Sequence, residues 1–285
     1  MHMRATMAAA TVSGALALAA FAVPAAQADQ GAARPDAASR FGIQSSKAGF
    51  RATGATAAPT ISEVTINGGK DIVVGTTSPK TVTVSVTASH PSGISDAFVD
   101  LWHGTDPDND FDGYLVPNED EATCTASSAT TSTCELTITV DPQADLVNSL
   151  AGSWHVTAGA LAGDGSDYYW NDFYGTARVQ RLSKLTVNAS PEPVKKGRTI
   201  TVTGALTRAN WDTSAYAGYT NQSVKLQFRK AGSSTYSTVK TITSSSTGSL
   251  KTTVTASTDG YWRYAFAGTS TTPAVNATGD FVDVQ

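Results

Sequence analysis

The chain has 285 residues, 40% of them hydrophobic and only 15% charged, with a formal net charge of −4. No basic stretch interleaved with aromatics stands out in it, so nucleic acid is not an expected partner. With only two cysteines, a zinc site at their spacing is not expected either.

Met1 to Thr6 carries a single basic residue, Arg4, and a run rich in Ala, Val and Leu follows as far as Val23. Pro24 and the small residues Ala26 and Ala28 then precede Asp29. This is the pattern of a secretory signal over 1–28 with an A-x-A cleavage site, and the run is short for a retained membrane anchor. Residues 29–59 are rich in Ala, Gly and Ser and show neither structural period, so they read as a flexible leader. What remains suits two domains, 60–182 and 183–285.

Charge is partitioned between these two parts. Residues 60–182 carry 17 acidic and 4 basic side chains, whereas 183–285 carry 5 acidic and 11 basic ones. The first part is built to attract cations and the second is not.

Almost every segment after Thr60 alternates apolar and polar residues. "KTVTVSVTAS" (80–89), "ISDAFVDLWHG" (94–104), "CELTITVD" (134–141) and "SWHVTAGALA" (153–162) do so in the first part. "TITVTGALTR", "SVKLQFRKA", "LKTTVTAS" and "YWRYAFAG" do so in the second. Period-2 strands separated by turns such as "HPSG" and "TDG" predict antiparallel sandwiches with an immunoglobulin-like strand count. Cys124 and Cys134 lie in flanking strand-like segments of an exported chain, where a disulfide pinning a hairpin is the default.

The most specific motif is "DPDNDFDGYLVPNED" (106–120). Numbered from Asp108, it places Asp108, Asp110 and Asp112 at positions 1, 3 and 5 of a calcium loop. Gly113 falls at position 6, Tyr114 at 7 and Glu119 at 12, satisfying D-x-[DN]-x-[DN]-G-x5-E. Three aspartates, the Tyr114 carbonyl, a bidentate Glu119 and one water would give the seven hard oxygens that Ca²⁺ prefers. The competing reading is a solvated acidic turn. Two features depart from an EF-hand: the loop is entered from a strand, and Pro117 stands at position 10. A calcium ion here is therefore expected to order a connection rather than drive a switch.

Both "TASHPSGISDAFVDLWHGTDPDNDFDGYLVPNEDEATC" and "SKLTVNASPEPVKKGRTITVTGALTRANW" resemble small secreted actinobacterial proteins described as calcium-binding. The second half also resembles immunoglobulin-like modules attached to secreted actinobacterial enzymes. The resemblance implies export and calcium binding through the same acidic loop.

Other constellations carry less. His90, His103 and His155 sit in a turn or beside tryptophans and are expected to be structural or at the surface. No G-x-S-x-G, H-E-x-x-H, P-loop or dinucleotide fingerprint occurs. Paired carboxylates for glycoside hydrolysis would meet only in the fold. The aromatic stretch "GDGSDYYWNDFYG" (163–175) either stacks on sugars or covers a sandwich end. "RANWDTSAYAGYTNQ" (208–222) reads as a long loop and the best contact surface of the second domain.

The expectation is thus an all-β protein, with two consecutive immunoglobulin-like antiparallel β-sandwiches after a signal peptide and flexible leader. It is expected to be secreted, extracellular and non-enzymatic, holding a structural Ca²⁺. The alternative is an extracellular carbohydrate or cell-wall adhesion module with a polysaccharide or wall polymer as partner. Neither reading includes nucleic acid, nor a membrane once the signal is cleaved.

Overall fold

A computed structural model describes residues 34–42 and 57–285. The expected signal peptide lies outside the described residues, as do 29–33 and 43–56 of the leader.

Among the described residues the elements are one short helix, α1 (Ala37–Arg40), two 3-10 turns and strands. The first sandwich holds β1 (Thr60–Ile66), β2 (Ile72–Val74), β3 (Lys80–Ser89), β4 (Ile94–Asp106), β5 (Asp110–Leu115), β6 (Thr123–Ala126), β7 (Thr131–Val140), β8 (Gly152–Ala162) and β9 (Tyr168–Arg181). The second holds β10 (Ser183–Leu185), β11 (Asn188–Ser190), β12 (Thr199–Asn210), β13 (Ala215–Gly218), β14 (Ser223–Lys230), β15 (Ser237–Thr243), β16 (Ser249–Thr255), β17 (Gly260–Phe266), β18 (Val275–Asn276) and β19 (Asp280–Val282).

In the first sandwich a sheet ordered β1-β3-β7-β6 faces a sheet ordered β2-β9-β8-β4-β5. Pairing is antiparallel except where β2 joins β9 in parallel. Alternation in the sequence becomes alternation in burial. Val82, Val84, Val86 and Ala88 of β3 are buried, while Thr81 and Thr83 on either side of Val82 face solvent. Their partners in the core include Leu136 and Ile138 of β7, Val99 and Leu101 of β4, and Trp154 and Val156 of β8. Cys124 stands opposite Cys134 in the β6–β7 ladder, and the two are disulfide-bonded, as the hairpin reading expects. The molecule is thus all-β, built of packed, largely antiparallel sheets, as the strand patterning predicts.

In the second sandwich the long strand β12 serves two neighbourhoods. Its first half pairs with β11 and β16, and its second half pairs with β10 and β13. The facing sheet is built on β15-β14-β17, with β18 and β19 along β17. Ile200, Val202, Leu206, Val224, Leu226, Trp262 and Tyr264 fill the space between. The Tyr264 hydroxyl donates to the Val202 carbonyl at 2.9 Å, so its one polar atom is buried with a partner.

Between the sandwiches only Leu182 separates β9 from β10. Its N–H donates to the Val74 carbonyl (2.9 Å) and its own carbonyl accepts from Ala209 N (2.8 Å). The Arg208–Gln222 segment is not the expected exposed loop. It is the β12–β13 hairpin, and its tip carries Trp211 into the core of the first sandwich, where the side chain is 3% exposed. Trp211 Nε1 donates to the Gly75 carbonyl (2.8 Å), and its backbone N–H donates to Asn148 Oδ1 (3.0 Å). Arg181 Nε reaches the Ala209 carbonyl (2.6 Å), and Gln180 Nε2 the Thr269 carbonyl (3.1 Å). An aromatic ring with its N–H satisfied explains why a chain so polar in this stretch folds inward here.

Trp211→Ala should cost about 3–5 kcal/mol through the cavity it leaves. Calorimetry checks this: the intact chain is expected to melt in one transition and the variant in two, one for each sandwich.

Candidate functional site

Strand β4 is unusual because both of its alternating registers are apolar or buried. Ala97, Val99 and Leu101 face the core, while Asp96, Phe98, Asp100 and Trp102 lie on the opposite face of the sheet. Neighbours on that outer face are Thr157 and Gly159 of β8, which pair with Asp100 and Phe98, and Trp170 of β9, which pairs with Gly159. An outer face carrying two aromatic rings and two carboxylates would be costly to leave bare.

It is covered by the leader. The expected flexibility of 29–59 is corrected for 34–42, which docks on this face. Pro35 biases Arg34 toward an extended backbone, and Asp36 caps α1 by accepting from Ser39 N at 2.7 Å. A four-residue helix has almost no stability of its own, so side chains must hold it. Arg34 Nη2 lies 3.0 Å from each oxygen of Asp100, 3.1 Å from Asp172 Oδ1 and 2.6 Å from Thr157 Oγ1. Its Nη1 donates to the Pro107 carbonyl at 3.2 Å. The guanidinium carbon stands 5.5 Å from the Trp102 ring centroid and 5.4 Å from that of Tyr114.

Six residues on, Arg40 Nη1 donates to Asp96 Oδ2 at 2.8 Å and sits over Phe98. Phe41 meets the edge of Trp170, which stacks on Phe98 at 5.1 Å. Gly159 makes this possible, since a Cβ there would stand 2.7 Å from the Trp170 ring and 3.2 Å from Phe41. With the segment in place Asp100, Trp102 and Thr157 are wholly buried.

The electrostatics follow from burial. Loss of water pushes the Asp100 carboxyl above the ordinary aspartate range, and the Arg34 guanidinium draws it back only in part. Burial, followed by the nearby Asp100 charge, raises the Tyr114 phenol well above its ordinary range.

The expected calcium loop takes another form. Residues 104–112 make a hairpin, with Gly104 opposite Phe111 and Asp106 opposite Asp110. Asp108 and Asn109 form its turn, where the Asp106 carboxylate accepts both of their backbone N–H groups. Those bonds hold Asp106 below the ordinary aspartate range. The five expected ligands do not converge. Asp108 is exposed at the turn, the Asp110 carboxylate accepts from Thr105, and Asp112 pairs with His103 Nδ1 at 2.5 Å. Tyr114 lies in the ladder opposite Trp102, its ring facing Arg34.

Glu119 faces the opposing sheet instead, accepting from Thr137 N (2.7 Å) and Thr137 Oγ1 (2.6 Å). Partial burial raises this carboxyl, but the two Thr137 bonds outweigh it and leave it below the ordinary range. Gly113 does not reverse the chain. It pairs with His103, and a Cβ on it would lie 2.6 Å from Trp154 Cη2. Among the described residues no three His, Cys, Asp or Glu side chains are grouped to hold a metal ion. The residues present do not fit the seven-oxygen cage.

Of the histidines, His90 is buried with Nδ1 2.7 Å from Ser92 Oγ, and His155 stacks on Trp102. In the aromatic stretch 163–175, Trp170 belongs to the leader site while Phe173 remains 56% exposed. Sequence reasoning missed Arg34, Arg40, Asp96, Asp100, Thr157 and Trp102; the available signal was the doubled apolar register of "DAFVDLW".

Residues 74–160, which contain most of this face, match the model of a family described as "Family of unknown function (DUF5707)". No curated protein matches the chain. Among solved structures, dimeric latent PorU from Porphyromonas gingivalis is similar at 14% identity and a TM-score of 0.28. That match covers 80% of this chain and 20% of PorU, so the chain spans about one fifth of PorU's length. A marsupial T cell receptor is similar at 14% identity and a TM-score of 0.35, over 80% of this chain and 72% of the receptor. Fibronectin(III)-like modules of Clostridium thermocellum CbhA are similar at 10% identity and a TM-score of 0.32, over 78% of this chain and 93% of theirs. None of the three is similar enough to carry a function across.

Glu119→Ala should lower stability by about 1–2 kcal/mol through the lost Thr137 bonds, by the same amount in millimolar calcium as in chelator. Thermal melts in both conditions check this. A calcium-dependent difference for this variant would restore the cage.

Proposed function

We propose that the protein is an exported, non-catalytic binding module of the adhesion type, whose partner is an anionic extracellular polysaccharide or wall polymer. The observation that carries this reading is a guanidinium–aromatic ladder on the outer face of the second sandwich. Arg229 of β14 lies over Tyr261 of β17 at 4.1 Å, and Arg263 lies over Tyr236 at 3.8 Å. Phe281 of β19 extends the row at 5.1 Å from Tyr261. Arg263 Nε is pinned by Gln227 Oε1 at 2.8 Å. Gln227, Arg229, Tyr261, Arg263 and Phe281 occupy one register of β14, β17 and β19, opposite the register that fills the core, and Tyr236 stands just before β15.

A row of flat rings offers stacking surface for sugar faces, and interleaved guanidinium groups suit carboxylate or phosphate substituents. The module is also stiff, because its two halves share the Trp211 plug and a one-residue joint. The Cys124–Cys134 bridge suits an oxidising compartment. In this reading calcium is a loosely held counter-ion of the exposed acidic hairpin rather than a structural element.

Co-sedimentation with insoluble anionic wall polysaccharide tests the proposal. The protein should be retained at low salt and released as ionic strength rises. Tyr261→Ala and Arg229→Ala should each weaken retention about threefold to tenfold. Equal recovery of wild type and variants in the supernatant would overturn it.

A further inference from the structure

The docked leader has the form of a ligand rather than of a strand or a core element. Residues 34–42 add no strand to either sheet. They reach the outer face of β4, β8 and β9 through two arginines, a capped turn and one ring. Each arginine enters a prepared place: Arg34 among Asp100, Asp172 and Thr157 and over two rings, and Arg40 against Asp96 over Phe98. The Asp96 carboxylate is itself fixed by the Ala97 and Ala122 N–H groups, both at 2.8 Å. Asp100 is held in the middle of the sheet, paired across to Thr157.

We propose that this outer face is a recognition site for arginine-bearing peptides of the form Arg-x5-Arg-Phe, and that residues 34–41 are its resident, exchangeable ligand. The chemistry selects arginine over lysine. Nη2 serves the carboxylates while Nη1 serves the Pro107 carbonyl, and the planar group lies over the neighbouring Trp102 and Tyr114 rings; a single ammonium cannot meet all of these at once. Residues 43–59 tether the segment to β1, so in the intact chain it competes at the high effective concentration of a short tether. An outside peptide gains access only when the tether is cut or the resident arginines are lost. This site is separate from the ladder on the second sandwich and does not rest on it.

The test uses the whole chain with a protease recognition sequence placed within 47–52. After cleavage the N-terminal fragment should stay associated at micromolar concentration. A synthetic peptide of residues 33–42, ARPDAASRFG, should then displace it one for one, read by anisotropy of a labelled copy and by tryptophan emission. The Arg34→Lys peptide should need at least about tenfold more, and Asp100→Asn in the chain should weaken binding about a hundredfold.

In a second arm the uncut Arg34→Ala/Arg40→Ala chain, shown by circular dichroism to be folded, should bind the same peptide. The proposal is overturned if the cleaved fragment never exchanges, if cleavage unfolds the sandwich, or if the folded double variant ignores the peptide. Wall-polymer retention by the second sandwich is read in a separate assay, so its loss would not mimic any of these results.

Discussion

A carboxylate taken out of water has to be given a counter-charge, and Asp100 is where this architecture meets that demand. Its side chain is fully buried in the middle of a sheet, where an unpaired ion costs several kcal/mol. The partner, Arg34, comes from 66 residues earlier in the chain. With that arginine come a capped turn, a second ion pair and an aromatic contact. The result is a strand, β4, covered on both faces, an arrangement more often associated with parallel sheets between helices. The docking of residues 34–42 therefore answers one buried charge.

The fold was largely legible because period-2 patterning is a direct image of a half-buried strand. Residues 80–89 and 134–141 show this plainly, their valines, leucine and isoleucine facing inward. Legibility failed where one pattern has two physical realisations. Aspartates at every second position fit a wound calcium loop, but they also fit the solvent face of a strand, and Asp110 and Asp112 take the second role on β5. Glycine is equally ambiguous. At Gly113 it makes room for the Trp154 indole, from β8 of the same sheet, rather than permitting a reversal. A motif records residue types and spacing, not the path of the backbone between them.

The leader and the seam were hidden for a different reason. Neither Arg34 nor Trp211 belongs to a periodic segment, and each is fixed by partners far away in sequence. Local composition calls such residues loop because nothing local restrains them. The clue sat in the complementary surface. A strand with apolar residues in both registers, as in Ala97, Phe98, Val99 and Trp102, needs covering twice. Once that is noticed, an uncommitted arginine-rich segment becomes the natural cover.

The single residue between the sandwiches has a further consequence. Leu182 spends its N–H on Val74 and its carbonyl on Ala209, so swinging one half against the other would break a bond to each. The acidic and basic halves are consequently frozen end to end, and their separation of charge becomes a permanent molecular dipole rather than an average over many poses. Near a negatively charged boundary such a body experiences a torque as well as an attraction, and it arrives with its basic end leading.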